Sequence, residues 1–470
     1  MSDEKNSTSI GFFFEPANIA IMGVSRNPDK LGNITLKNLL KLKFKGNIFP
    51  VNPYASEIMG LKTFSSLFHI PGDIDIVLIC LPAIKVLLAL EDCEKRGVKG
   101  VVIGTAGFGE LGGEGKDRQQ KIKEIVKRST IRIIGPNTTG ILNPYDHFTT
   151  SFADLPDVKK GAVAFVAQTG MFAGISLQWI LTAQHFGLSK VAGLGNKIDV
   201  NDTEVLKYLL DDPFTKVIMM YVEALDDGAD FFKTAREVTR IKPIIVLKTG
   251  KTVGGARAAI SHTGSISGDN DIFNGLARQA GIIQVDDFEE MFNLAKTFAY
   301  QPVPRKNKIG VISFAGSIAV LIMDLLEKTG LEIAALESST IMKLEEKMPY
   351  WARAGHPVDT GPLYEMGIVE SALFSFEALL ADPQVHGCIL AIGGINQMNP
   401  EILSQKIHNL TQKHPEKPVV VYAIGEKDSF DRLFKLLEER HVPVFSNIAD
   451  GVRSLAALYH YGRYLNSMGE

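Results

Sequence analysis

At 470 residues the chain exceeds one compact core and suggests about three domains; its apolar share of 45% and charged share of 22% fit a soluble globular protein. A net charge of -3 argues against nucleic-acid binding, no apolar run approaches membrane-spanning length, and Met1-Ser2-Asp3-Glu4-Lys5 opens without an apolar signal region. Cys80, Cys93 and Cys388 are scattered, lack metal-ligand spacing, and make a reducing cytoplasm the expected home.

From end to end the sequence repeats a short apolar strand, a small-residue turn and an amphipathic helix, which predicts parallel sheets covered by helices. Three strands lead into turns suited to ligands: Ile19–Met22 into Gly23-Val24-Ser25, Val163–Val166 into Gln168-Thr169-Gly170, and Ile309–Ile312 into Phe314–Ser317. Each opens its own unit, so the expected fold is α/β, with three consecutive doubly wound, Rossmann- or flavodoxin-like parallel-sheet domains. A polar linker around Tyr145 to Lys160 and a proline-rich, basic tether, Gln301 to Lys308, separate them. The expected domains are 1–145, 146–300 and 301–470.

In the first unit a dinucleotide fingerprint is the obvious alternative. After Gly23, however, Ser25-Arg26-Asn27-Pro28-Asp29-Lys30-Leu31 intervenes before Gly32, and the glycine spacing fails. The second strand, Asn47–Val51, runs into Asn52-Pro53 and offers no carboxylate to a ribose hydroxyl. Coenzyme A carries a 3′-phosphate where NAD has that hydroxyl, so the missing acid favours coenzyme A over an NAD-linked oxidoreductase. Arg26, Lys30 and the amides that open the first helix are suited to phosphates.

The second unit carries Ala258–Gly268, where His262 stands among Ser261, Thr263, Gly264 and other small residues, ahead of a helix predicted to start near Asp269. From the residues alone, an exposed loop with a solvated histidine is the favoured reading. Glu223, ending the strand Met220-Tyr221-Val222, is either a solvated carboxylate or the acceptor that fixes an imidazole tautomer. Lys248 and Lys251 are candidate phosphate neighbours. No Gly-x-Ser-x-Gly elbow supports a serine hydrolase.

Ser261-His262-Thr263-Gly264-Ser265 with Gly268 resembles the phosphohistidine loop of the NDP-forming acyl-CoA synthetases. The likeness is closest to the alpha subunits of the ADP-forming acetate–CoA ligase branch, and it includes the succinyl-CoA synthetase alpha subunit. The ordered turns Gly23-Val24-Ser25, Val51-Asn52-Pro53, Pro82-Ala83, Gly107-Phe108-Gly109-Glu110 and Gly135-Pro136-Asn137 are similar to that family's CoA-binding domain, with Thr138 where it usually has cysteine. The resemblance implies that Gly23, Ser25, Arg26, Asn27, Pro28, Asn52, Pro53, Thr105, Ala106, Gly107 and Asn137 line coenzyme A. It implies a phosphoryl group carried by His262 with Glu223 as its partner. Gln168, Thr169, Gly170, Ser261, Thr263 and Gly264 would surround the phosphate or acyl group.

In the third unit His356-Pro357-Val358-Asp359 stands where the family has Asn-Pro-x-Asp, and the glycine-rich turn is reduced to Ala315-Gly316-Ser317. No ATP-grasp or Walker pattern is present. The resemblance therefore implies ATP or ADP, with Mg, on a separate ATP-grasp beta subunit, a hetero-oligomer, and a small carboxylic acid and its acyl-CoA as substrates. A non-catalytic module that senses CoA or acyl-CoA would share the fold.

Overall fold

The computed structural model describes residues 10–168, 176–184, 186–263, 269–347, 354–361 and 367–468; of 259–263 only the backbone is described. The chain forms two compact units, residues 1–288 and 289–470. The first holds two large sheets and a small antiparallel pair, Glu57–Ile58 with Leu61–Lys62. Strands β1 (Asn18–Met22), β2 (Asn47–Val51), β3 (Ile76–Ile79), β4 (Gly100–Ile103) and β5 (Arg132–Ile134) are all parallel, in the order 2-1-3-4-5. Ile76–Ile79 and Gly100–Ile103 are buried throughout, as strands covered on both faces must be.

The second sheet contains β6 (Ile141–Asn143), β7 (Phe148–Thr149), β8 (Lys160–Ala167), β9 (Leu188–Gly193), β10 (Val217–Val222), β11 (Ile244–Lys248) and β12 (Ile283–Val285). Its order is 12-11-10-8-9-6-7, with β6 and β7 antiparallel at one edge. The strand direction reverses its march between β8 and β10, so the ends of those two strands frame the crevice of this sheet. The expected polar linker is a packed connection: Asn38 Nδ2 donates to Ser151 O and Ala153 O at 2.9 and 2.7 Å, and Lys41 Nζ to Leu155 O at 2.7 Å.

The other unit is built on β13 (Lys308–Ser313), β14 (Glu332–Ile333), β15 (Val358–Asp359), β16 (Gly387–Ile392), β17 (Val419–Ala423) and β18 (Val444–Phe445). They run parallel in the order 14-13-16-17-18, with β15 also against β13. The proline-rich stretch before β13 is a docked strap and not a solvated tether. Gln301 Oε1 accepts Val419 N at 2.7 Å, Gln301 Nε2 donates to His441 O at 2.8 Å, and Pro304 is buried. Only Arg305 and Lys306 face solvent fully.

His356 completes the edge of this sheet. β14 pairs β13 over Lys308–Ile309 and β15 pairs it over Ile312–Ser313, leaving Val311 between them. The Val311 N–H donates to His356 Nε2 at 2.9 Å, and Nδ1 lies 2.6 Å from Ala334 O. An accepting Nε2 leaves the proton on Nδ1, which donates to Ala334, so the ring is neutral. Burial holds the His356 imidazolium below the ordinary histidine range, against the pull of the Ala334 carbonyl and Asp382. A histidine depressed in the folded state contributes stability above about pH 6.5 that is lost as pH falls through its folded value. His356→Asn is therefore expected to lower the neutral melting temperature and flatten its fall between pH 7 and 5. An unchanged acid slope would assign that sensitivity to other groups.

All three cysteines are free. Burial pushes the Cys80 thiol up to about 12 and raises those of Cys93 and Cys388 further, which suits packing and not thiolate chemistry. No helix among the described residues is long and apolar enough to cross a membrane.

Candidate active site: two crevices in one compact unit

The first crevice lies beyond the carboxyl ends of β1 and β3. Gly23 has φ +104°, and a Cβ there would stand 2.3 Å from Cys80 O, so only glycine fits. A Cβ on Gly32 would lie 2.9 Å from Gly23 C, which shows how closely the helix Leu31–Leu42 begins against that turn. This late glycine gives the helix–strand approach although the dinucleotide spacing is absent. Ser25 N donates to Asn33 Oδ1 at 2.8 Å, Ser25 Oγ accepts Asn27 N at 3.1 Å, and Asn27 Oδ1 accepts Asp29 N at 2.9 Å. These side chains shape the turn. Arg26, Pro28 and Lys30 are exposed, and neither cation has an ion pair among the described residues.

The remaining coenzyme candidates surround the same edge. Asn52 Nδ2 donates to Val24 O at 2.8 Å, while Oδ1 accepts Tyr54 N and Ala55 N at 2.7 and 3.0 Å. Asn52 thus ties the second turn to the first, beside the exposed Pro53. Thr105 Oγ1 donates to Leu81 O at 2.7 Å, and Thr105 O accepts Asn137 N at 3.0 Å. Ala106 is exposed and Gly107 has φ +110°. Thr138 is buried and structural, its hydroxyl donating to Gly193 O at 2.6 Å.

The second crevice lies at the ends of β8, β10 and β11. Gln168 Oε1 accepts the backbone N–H groups of Glu223 and Ala224 at 2.8 and 3.0 Å, stitching the two strands that flank the switch point. Glu223 is 5% exposed, so it is no solvated strand-end carboxylate. Tyr221, two residues earlier and on the same strand face, accepts from Thr249 Oγ1 at 3.2 Å. The Tyr221 ring stacks on Phe288 with centroids 5.8 Å apart. Burial, with the Glu223 charge adding to it, raises the phenol above its ordinary range.

Lys248 is 4% exposed. Its ammonium donates to Glu223 O at 2.8 Å and to Thr249 O, and lies 5.9 Å from the centre of the Phe273 ring. Burial holds it below the ordinary lysine range, although Glu223 pulls the other way. It braces the Glu223 turn. Lys251 pairs with Asp286 at 2.9 Å.

Residues 258–263 are not loop as the small-residue run suggested: they end the helix Val253–Thr263. Gly255 N donates to Thr252 Oγ1 at 3.0 Å near its start. The alanines Ala256, Ala258 and Ala259 supply the helix propensity that outweighs Gly254 and Gly255. This helix packs against the turn Gly109–Leu111 of the first crevice. Thr169, Gly170 and Gly264 lie outside the described residues, as do the side chains of Ser261, His262 and Thr263. The following helix, Asn270–Ala280, starts as expected, with Asp269 accepting the amides of Asp271 and Ile272.

Comparison with known proteins agrees with this architecture. Residues 17–144 match the CoA binding domain and residues 160–298 the succinyl-CoA ligase like flavodoxin domain. The chain is 35% identical to the Pyrococcus furiosus acetate–CoA ligase (ADP-forming) II subunit alpha, over 96% of this chain and 97% of that one. It is 37% identical to the Archaeoglobus fulgidus acetate–CoA ligase (ADP-forming) II, covering 96% of this chain but 66% of that longer protein. The structure of the Candidatus Korarchaeum cryptofilum dinucleotide forming acetyl-coenzyme A synthetase 1 in complex with phosphate and ADP superposes with a TM-score of 0.90. It is 30% identical and covers 97% of this chain and 98% of that one. The turns at both crevices, the sheet orders and these full-length likenesses lead to one conclusion: the chain belongs to the NDP-forming acyl-CoA synthetase family, alongside the alpha subunits of ADP-forming acetate–CoA ligases.

Proposed function

We propose that this chain acts as the alpha subunit of an ADP-forming acyl-CoA synthetase, interconverting acyl-CoA, ADP and phosphate with acid, CoA and ATP. The observation that carries the reading is the buried Glu223, whose backbone N–H and C=O are held by Gln168 and Lys248 at the switch point of the second sheet. The same compact unit contains the turns assigned to the coenzyme and the helix Val253–Thr263, whose last turn includes His262. In the thioester-cleaving direction, phosphate oxygen attacks the acyl carbon and the CoA thiolate leaves. An imidazole nitrogen of His262 then attacks the phosphorus of the acyl phosphate, and the carboxylate departs. Glu223 is assigned the second ring N–H, holding the tautomer and stabilising the positive charge that develops.

Gln168, Thr169 and Gly170 are assigned to the phosphate or acyl side, with Ser261, Thr263 and Gly264 around His262. The nucleotide, with Mg, is assigned to an ATP-grasp beta subunit. Support for a partner comes from relatives that carry the name subunit alpha. Names of other relatives include 4-hydroxybutyrate–CoA and trans-feruloyl-CoA enzymes, so the acyl group is left unassigned. The deciding experiment supplies the purified chain with a panel of isotopically labelled acyl phosphates. An acid-labile, alkali-stable phosphoryl group should appear on the chain; absence of label with every donor would refute the reading.

The coenzyme assignment makes its own prediction. Calorimetry on the full chain should show coenzyme A binding, dephospho-CoA about tenfold weaker for want of one charge-assisted contact, and NAD weaker still. Equal affinities would remove Arg26, Lys30 and the carboxylate-free turn at Asn52 as the basis of selectivity.

A further inference from the structure

Asn196 stands where the coenzyme turns of the first sheet meet the turn after β9 of the second. Its side-chain nitrogen donates to Glu110 Oε2 at 2.7 Å and Gln119 Oε1 at 2.9 Å. Its side-chain oxygen accepts from Asn137 Nδ2 at 3.4 Å, and its backbone N–H donates to Pro136 O at 2.9 Å. Glu110 Oε1 in turn accepts the amides of Gly107 and Phe108 at 2.5 and 3.0 Å, and Gln119 Oε1 accepts Gly109 N at 3.0 Å. The backbone from Gly107 to Gly109 therefore hangs from two side chains that one amide group holds. Burial alone would raise the Glu110 carboxyl, but the bonds from Asn196, Phe108 and Gly107 keep it below the ordinary glutamate range. The carboxylate is thus charged at neutral pH, and its bonds are the stronger for it.

The next residue continues the connection. Lys197, with φ +48° and 8% exposed, donates to Asp202 Oδ2 at 2.5 Å and to Ala224 O at 2.7 Å. Ala224 follows Glu223, and the amides of both are held by Gln168. An unbroken series of hydrogen bonds and one peptide unit thus leads from the Gly107 turn through Glu110, Asn196 and Lys197 to the Glu223 turn. Both donors of the Asn196 amide and the short tether of Lys197 are committed, so a displacement at one end cannot be absorbed without breaking a buried or half-buried bond.

We propose that Asn196 is the positioning residue that couples coenzyme A in the first crevice to Glu223 in the second. This rests on the function proposed above and adds a specific link to it. Coenzyme bearing on the Gly107 turn shifts Glu110, the Gly195–Lys197 turn follows, and Lys197 resets the backbone that presents the Glu223 carboxylate. Such coupling is a free energy shared between two sites and is reciprocal.

The test times phosphorylation of the full-length chain, with and without saturating coenzyme A, using whichever acyl phosphate of the panel labels it fastest. Calorimetry gives coenzyme affinity on the same samples. In the wild type the two rates should differ by at least about fivefold, and in Asn196→Ala their ratio should fall to within about twofold of one while coenzyme A still binds. Asn196→Asp keeps the size of the residue but sets a carboxylate against Glu110, and should lose the ratio too; melting curves establish that each variant is folded. A wild-type ratio in both folded variants, or equal wild-type rates with and without coenzyme A, overturns the proposal. Loss of coenzyme binding in a folded variant overturns it as well, by placing Asn196 in the coenzyme site itself. Absence of label on the wild type, with coenzyme A bound, instead refutes the phosphoryl-transfer reading and takes the coupling with it.

Discussion

Replacing His262 by asparagine is expected to abolish the phosphorylated form of the chain and lower turnover by at least about a thousandfold, the scale seen when a covalent nucleophile is removed. Asparagine keeps a polar side chain of similar reach at its first atoms but has no lone-pair nitrogen able to attack phosphorus. The backbone of residue 262 lies in the last turn of an alanine-rich helix, where asparagine costs only a fraction of a kcal/mol in propensity. Loss of activity therefore cannot be traced to unfolding of that helix. The turns assigned to coenzyme A, at Gly23, Asn52 and Gly107, belong to the first sheet and are held by their own bonds to Asn33, Val24 and Glu110. Coenzyme A affinity should accordingly stay within about twofold of wild type. The measurement is labelling by acyl phosphate, resolved into acid-labile and alkali-stable fractions, with calorimetry alongside. Wild-type labelling of His262→Asn would move the phosphoryl group to another residue and remove the central assignment.

The opening strands of the three sheets are legible in the sequence because each is a short apolar run that leads into a turn containing glycine. Ile19–Met22 before Gly23, Val163–Val166 before Gln168 and Ile309–Ile312 before Phe314 are strands at those places. The edge pair Ile141–Asn143 and Phe148–Thr149 is not legible. It is too short to show alternation, and its membership of the second sheet depends on the partner Leu188–Gly193 far along the chain. The helix ending at Thr263 is hidden for another reason: small residues favour both a loop and, when they are alanines, a helix. Among the site residues, Glu223 is marked by its place at a strand end. Tyr221, two positions earlier on the same face, carries a usable signal in the strand period itself. The bonds of Glu110, Asn137 and Asn196 join turns 59 and 86 residues apart, and one sequence holds no information on such pairing. Asn52 illustrates a different limit. Its residue type and place are readable, but only the structure shows both ends of its amide used on Val24, Tyr54 and Ala55.

Glu223→Gln is expected to slow phosphorylation by roughly ten- to more than a hundredfold, the kinetic equivalent of about 1.5–3 kcal/mol for a charge-assisted hydrogen bond. The substitution preserves size and leaves in place the backbone bonds that Gln168 and Lys248 make to residue 223. The turn should therefore hold its shape, and coenzyme affinity should change little. What is lost is the negative charge. A neutral amide still accepts from an imidazole N–H but stabilises the cationic ring less, and the cost falls mainly on the step in which the ring becomes charged. The Tyr221 phenol, raised by burial and partly by the Glu223 charge, should titrate closer to its ordinary range in the variant. That shift is a spectroscopic check that the carboxylate itself, and not the fold of the turn, has been altered. Tyr221→Phe removes the neighbouring phenol hydroxyl while keeping the Glu223 charge and the ring that stacks on Phe288. It should therefore slow phosphorylation less than Glu223→Gln. Single-turnover labelling of the three proteins orders them as wild type, Tyr221→Phe, then Glu223→Gln. A Glu223→Gln rate equal to wild type would confine Glu223 to bracing its own turn and leave the tautomer of His262 to another acceptor.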